Sequence, residues 1–377
     1  MSDLMAERKP MTKIRVPLFV FLASIYFLSA CSSDDQDISS VGQESGEEVS
    51  GSGENGDSDA SGGELTVVAD TNSLASNGCQ NVVIVDEFAY AACDTGIEVV
   101  DLNSLERNFV SIPADDISGD AGLGVLFTQS GNVLTQFDLV NPLEPSVIAT
   151  VNTNFSLFSG ISSANGVLVV SAGSGGSNTE VYTYNSSSMS LSISGIPQVD
   201  SQTGSPDVHV SLTFSGALAF YSQDLGFVAN WGIQTVEFDN DGNIVNIPEV
   251  VVLTPGAFAD SFGVPFGPAN FPVESEFLDD RLYVAHFAAN GLQVIDRSSS
   301  DALSLIPLGY QPTNVATDGN QLFVVSVDRD IVDIVNPITE TVVSSLDLPL
   351  QQAVGVAAND THIVVADRTV GLVVAVR

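Results

Sequence analysis

From Glu64 to Arg377 the chain keeps returning to one phrase: a short apolar strand, a turn holding Gly or Asp, and a second strand ending in an acidic residue or Asn. It is clearest at 88–93 with 96–101, at 225–229 with 232–236, and at 282–285 with 291–296. It returns at 322–326 with 331–336 and at 363–366 with 371–376, and in diverged form at 125–128 with 133–138 and 167–171 with 181–185. The second strands end at 101, 138, 185, 239, 296 and 336, so the spacings are 37, 47, 54, 57 and 40. The runs are rich in Val and Ile, are broken by Gly, Asn, Asp, Ser and Pro, and show no sustained helical period, which is an all-β signature. A period near 40 residues with about four strands per unit is that of a β-propeller blade.

The ends of the repeat region predict closure. The last unit, 352–377, has room for three strands, whereas 64–70 (Glu-Leu-Thr-Val-Val-Ala-Asp) is a lone strand ahead of the first full unit. An N-terminal strand added to the last unit would complete it and remove an unpaired edge. The expected fold is all-β, a propeller of seven four-stranded blades over 64–377. The segment between Pro113 and Gly122 has little that reads as an inner strand, which leaves the count at seven plus or minus one.

Two details carry a family resemblance. Gly291-Leu-Gln-Val-Ile-Asp296 and the turn Asp138-Leu-Val-Asn-Pro-Leu-Glu-Pro145 are similar to the LVIVD-repeat propellers of secreted and cell-surface bacterial proteins. The likeness covers most of 64–377 and implies a fold, not a chemistry, because such repeats share no catalytic residues. Units three to five are longer than the pattern, notably at 255–271.

The start of the chain predicts export. Arg8, Lys9, Lys13 and Arg15 precede an unbroken run, 16–30, of 15 residues with no charge. That is the order of a signal peptide, and it falls short of the ~20 residues a membrane-spanning helix needs. The run ends in Leu28-Ser29-Ala30-Cys31, which resembles the bacterial lipobox. The resemblance implies removal of 1–30, palmitate-type lipidation of Cys31 and, with Ser32 following, an outer-membrane lipoprotein of the cell envelope. Residues 32–63 are almost wholly Ser, Gly, Asp, Glu and Gln. Such a stretch cannot bury enough apolar surface to offset its ordering entropy, so 31–63 reads as a lipidated cysteine and a flexible linker.

Charge narrows the partners. The formal net charge is −37, and after residue 30 there is no lysine and only Arg107, Arg281, Arg297, Arg329, Arg368 and Arg377. Six scattered arginines cannot neutralise a phosphate backbone, so nucleic acid is excluded as a partner. An acidic surface keeps a protein soluble and also suits cationic ligands. Cys79 and Cys93 are the two cysteines left beyond Cys31 and flank a predicted hairpin, 82–85 turning through Asp86-Glu87 into 88–93. In an oxidising compartment they are expected to pair, provided a three-residue turn brings them opposite each other.

Candidate chemistry is sparse. His209, His286 and His362 lie in three different units and form no triad or metal motif. Asp239-Asn-Asp-Gly-Asn243 has the alternating oxygens of a calcium loop but Ile244 and Val250 where Gly and Glu are needed, so it reads as a hairpin turn. Asp94, Asp328, Asp330 and Asp367, with Arg329 and Arg368 beside them, occupy turns between second and third strands. In a propeller these turns share one face, where the acids would hold a cation or a polar ligand; turn chemistry alone also favours Asp. The long loop 255–271 carries Phe258, Phe262, Phe266 and Phe271, suited to protein or sugar recognition or to plugging a gap between blades. The resulting expectation is a membrane-tethered binding or scaffold module for an envelope protein or polysaccharide, with no catalytic residue and no cofactor other than Ca²⁺. The rival is a lactonase-type propeller hydrolase with a metal at the channel mouth.

Overall fold

Near-continuous apolar strands such as Ile363-Val-Val-Ala366 and Gly371-Leu-Val-Val-Ala-Val376 need both faces of their sheet covered, and this governs the architecture. The computed structural model describes residues 69–75, 78–153, 160–171, 179–194, 206–213, 216–224, 229–238, 244–246, 251–253, 272–286, 290–296 and 302–377. Residues 160, 171, 179, 193–194, 206–253, 272–273, 286, 295–296 and 302–303 are described by backbone alone. The signal segment, Cys31 and the linker lie outside the described residues.

After β1 (Ala69–Asp70), the described strands form seven antiparallel sheets, without a helix. The first is β2 (Cys79–Val85), β3 (Phe88–Cys93), β4 (Gly96–Asp101) and β5 (Arg107–Val110). The second is β6 (Asp116–Asp120), β7 (Val125–Ser130), β8 (Val133–Asp138) and β9 (Ser146–Asn152). The third is β10 (Gly160–Ala164), β11 (Val167–Ser171), β12 (Thr179–Asn185) and β13 (Ser188–Ser194). The fourth is β14 (Pro206–Thr213), β15 (Gly216–Asp224), β16 (Ala229–Phe238) and β17 (Ile244–Asn246), with β18 (Val251–Leu253) also pairing on β16. The fifth is β19 (Pro272–Leu278), β20 (Arg281–His286), β21 (Gly291–Asp296) and β22 (Ala302–Pro307). The sixth is β23 (Asn314–Thr317), β24 (Leu322–Val325), β25 (Ile331–Asn336) and β26 (Thr341–Asp347). The last is β27 (Ala353–Ala358), β28 (His362–Asp367) and β29 (Gly371–Val376), onto which β1 pairs at Ala69↔Ala375 and Asp70↔Val374.

Each first strand lies beside the first strand of the next sheet, and β2 touches β27 as well as β6. Between neighbouring sheets sit separate apolar layers. Tyr90, Ile97 and Val99 pack on Leu126 and Phe137, Phe127 and Leu134 on Leu168 and Tyr182, and Ala91 and Val100 on Val364 and Val374. Middle strands are therefore buried on both faces, as in β28, where all six residues are buried. Outer strands such as β26 are mostly exposed.

The segment 113–122 does contain an inner strand, β6. It escapes a hydrophobicity pattern because Ile117 is its one large apolar residue, and because a Cβ at Gly119 would lie 2.4 Å from Val85 Cγ2. Small size is what lets this strand approach β2.

Cys79 and Cys93 are joined by a disulfide. The turn between β2 and β3 has two residues, Asp86 and Glu87, with Asp86 left-handed at φ 53°. The extra residue that brings Cys79 opposite Cys93 is instead Gln80, in a bulge between Cys79 and Asn81, so the expected three-residue turn is replaced by a bulge that bends the strand end.

Candidate functional site

Of the four turn acids, Asp367 is corrected outright. It is fully buried, and its Oδ2 accepts the backbone N–H of Gln351 (2.7 Å) and Gln352 (2.6 Å), while Oδ1 accepts those of Thr369 (2.7 Å) and Val370 (2.9 Å). A carboxylate has about four lone-pair sites, so nothing remains for a ligand; Asp367 frames its own turn. Asp94 is exposed and accepts from Gln80 Nε2 (3.2 Å), whose Oε1 accepts from Arg368 Nε (2.9 Å). That chain ties two neighbouring sheets. Asp328 and Asp330 are exposed, and Arg329 between them lies over the Tyr310 ring at 4.7 Å. Tyr310 in turn donates to Asp333 (2.6 Å).

No three of the turn acids bring carboxylate oxygens within 4.8 Å of one another. Among the described residues the one set of three potential ligand atoms within 4.8 Å of one another is Cys79, Cys93 and Glu98, and the disulfide removes two of them as ligands. His362 is buried at the start of β28, its Nδ1 2.8 Å from Thr361 Oγ1, and burial holds its imidazole below the usual range. The side chains of His209 and His286, the segment 239–243, and Phe258, Phe262, Phe266 and Phe271 lie outside the described residues.

What sequence reading missed is a cavity of about 310 Å³ bounded by β2, β6, β10, β19, β23 and β27. An innermost strand is a sheet edge whose outer N–H groups have no ladder partner, and its own side chains answer that need. Asn81 Oδ1 accepts the N–H of Val82 (2.8 Å), Asp116 Oδ1 that of Ile117 (2.8 Å), Glu274 Oε1 that of Ser275 (3.0 Å) and Glu276 Oε1 that of Phe277 (3.0 Å). Further bonds step from strand to strand, Asn81 Nδ2 to Asp116 Oδ1 (2.6 Å) and Ile161 N–H to Asp116 Oδ2 (3.0 Å).

No Lys, Arg or His is among the described residues that line this cavity. Burial pushes the Glu274 carboxyl up to about 8, with the nearby Asp116 charge adding to the rise, and the Glu276 carboxyl up to about 7. Burial also raises Asp116, against the bonds from Asn81, Ile117 and Ile161. Perturbed acids gathered in a concave site are a physical mark of function. The sequence signal was Glu at i and i+2 inside one strand, Pro-Val-Glu-Ser-Glu-Phe-Leu.

No protein-family model and no curated protein matches the chain. Among solved structures, the WD40 β-propeller domain of Doa1 aligns with a TM-score of 0.56 at 11% identity, covering 83% of this chain and 96% of that one. Hydrazine synthase of Kuenenia stuttgartiensis aligns with a TM-score of 0.60 at 12% identity, covering 79% of this chain and 95% of that one. At such identities the likeness concerns the fold alone, and that fold is a β-propeller.

Proposed function

We propose that the chain is an envelope lipoprotein, anchored through lipid on Cys31, whose residues 64–377 form a seven-bladed propeller closed by the N-terminal strand and act as a binding or scaffold module for a protein or polysaccharide. Closure is supported by the pairing of β1 on β29 and by a buried clasp. Arg107 bridges Asp70 (3.0 Å) and Glu98 (2.5 Å), and Glu98 also accepts from Ser73 Oγ (2.6 Å) and from the N–H groups of Leu74 (3.0 Å) and Ala75 (3.2 Å). Gly371 makes room for this segment, since a Cβ there would lie 2.1 Å from Ser73 Oγ. The anchor rests on the lipobox and the apolar run before it.

One observation carries the binding reading. Asp94, Asp328, Arg329, Asp330 and Arg368 stand exposed on turns whose backbones are fixed by buried strands, the arrangement in which rigid frames present recognition groups. The test has two parts. Cys31→Ser should remain uncleaved or become soluble, and normal processing with salt-resistant membrane association would refute the anchor. A partner captured from envelope extract should bind the Asp94→Asn/Asp328→Asn/Asp330→Asn protein more weakly and lose affinity with salt. Unchanged binding would remove this face from consideration and shift attention to 255–271.

A further inference from the structure

The cavity and the exposed turns are different places, and the cavity has its own chemistry. Three carboxylates, Asp116, Glu274 and Glu276, share it with the amides of Asn81 and Asn314, and the described lining offers no cation to any of them. Asn81 is committed to Asp116 and to Val82. Asn314 is not: it is 7% exposed, lines the cavity, and has no side-chain hydrogen-bond partner among the described residues. Buried amides are ordinarily satisfied, so one without a partner among the described residues, beside acids to which the described lining offers no cation, marks where a ligand's polar group would sit.

The spacing of the acids selects the kind of cation. Calcium needs six to eight oxygens converging at about 2.3–2.6 Å, and these carboxylates do not fall within 4.8 Å of one another as a group of three. An elongated molecule can satisfy separated carboxylates with separate ammonium groups, each donating three hydrogen bonds. About 310 Å³ suits a small ligand. We infer that this cavity binds a small organic cation bearing two or more ammonium groups, with Glu274 and Asp116 as counter-charges and Asn314 as a neutral acceptor. This site is separate from the exposed turns, so either reading can fail without the other.

The experiment uses the full mature protein in detergent, with spermidine as the probe, at pH 7.5 and constant ionic strength. Calorimetry should show saturable binding of unit stoichiometry, with a heat that depends on the buffer's ionisation enthalpy because Glu274 gives up a proton as the amine enters. Glu274→Gln/Glu276→Gln keeps the acceptors for Ser275 and Phe277 N–H and should weaken binding at least tenfold. Asn314→Asp should tighten it, a gain that misfolding cannot imitate. The inference is overturned if spermidine gives no saturable heat, or if the Gln pair and Asn314→Asp both bind like the parent, which would reduce the effect to diffuse attraction by an acidic surface. It is also overturned if Ca²⁺ binds more tightly than spermidine and is lost in the Gln pair, which would make the cavity a metal site.

Discussion

Replacing Arg107 by Leu isolates the clasp that holds the N-terminal strand. Its guanidinium bonds Asp70 Oδ2 through Nη2 (3.0 Å) and Nε (3.2 Å), Glu98 Oε1 through Nη1 (2.5 Å), and the carbonyl of Leu372 (3.4 Å). The side chains of Arg107, Asp70 and Glu98 are 6%, 11% and 0% exposed, so solvent screens them little. Burial works against the Asp70 carboxylate, yet the bonds from Asn72 and Arg107 hold it below the usual range. Removing the cation leaves two acids buried side by side, a change that costs about 3–5 kcal/mol. Arg281 with Glu340 is the control, because those side chains are 41% and 29% exposed and such a pair contributes less than about 1 kcal/mol. A fold of this length has an unfolding entropy of roughly 0.65 kcal/mol per degree. Arg107→Leu should therefore lower Tm by about 5–8 °C, and Arg281→Leu by less than about 2 °C, followed by far-UV circular dichroism. Adding Asp70→Asn to Arg107→Leu should recover part of the loss, since one uncompensated charge disappears. Equal shifts for Arg107→Leu and Arg281→Leu would refute the clasp, and with it the main energetic support for closure.

Deleting 64–70 should lower Tm by many degrees while deleting 32–62 barely moves it, and equal Tm values would sink the closure reading. Replacing both Cys79 and Cys93 by Ala opens a loop of sequence separation 14, which should cost roughly 3 kcal/mol, read in urea melts; a change under about 0.5 kcal/mol would show the bond to be incidental. Asp367→Ala strands four backbone N–H groups and should destabilise by about 3 kcal/mol, whereas the exposed Asp328→Asn should stay within about 0.5 kcal/mol. On pH, Glu274 at about 8 and Glu276 at about 7 lie above the ordinary 4.5, so the folded chain binds these protons more tightly than the unfolded one. That stabilisation is complete below about pH 4.5 and is lost as pH rises through 7 and 8. Tm should fall from pH 5.5 to 8.5 and Glu274→Gln/Glu276→Gln should flatten the profile. Asp116 faces the pair, and β14 beside β19 carries Asp207 and His209, whose side chains lie outside the described residues.

What could be read from sequence was what neighbouring residues decide. Strand pairs such as Phe88–Cys93 with Gly96–Asp101 announce themselves because alternation and turn chemistry are local, and all-β architecture follows from their recurrence. β6 was hidden because its identity as a strand depends on Val85 of another sheet crowding Gly119. The turn acids were legible as turn residues, but whether such an Asp points out or in is decided by the next crossing segment. In the last sheet Gln351 and Gln352 present N–H groups and draw Asp367 inward. Among the described residues no comparable segment bonds the Asp328 carboxylate. Glu274 and Glu276 look like solvent-facing positions of an ordinary strand. Their partial burial arises from several first strands meeting around one cavity, a property that no single repeat contains.

The arginines explain why the described lining offers the cavity acids no cation. Arg107 serves Asp70 and Glu98; Arg377 bonds Asp318 (2.5 Å), Asn359 O (2.9 Å) and Gln321 Oε1 (3.0 Å); Arg281 serves Glu340; Arg368 serves Gln80; and Arg329 stacks on Tyr310. Every arginine after residue 30 except Arg297, which lies outside the described residues, is engaged away from the cavity. With no lysine in that span, the described lining can neutralise Asp116, Glu274 and Glu276 only by protons, which leaves a place for a cation from outside. Burial supplies the first at acidic pH, as the raised carboxyls show. Above pH 8 the protons are given up, and an organic cation then stabilises the fold by the free energy of its binding. The stabilisation that spermidine gives should accordingly grow from pH 5.5 to 8.5, opposite in sign to the intrinsic pH trend of the protein alone.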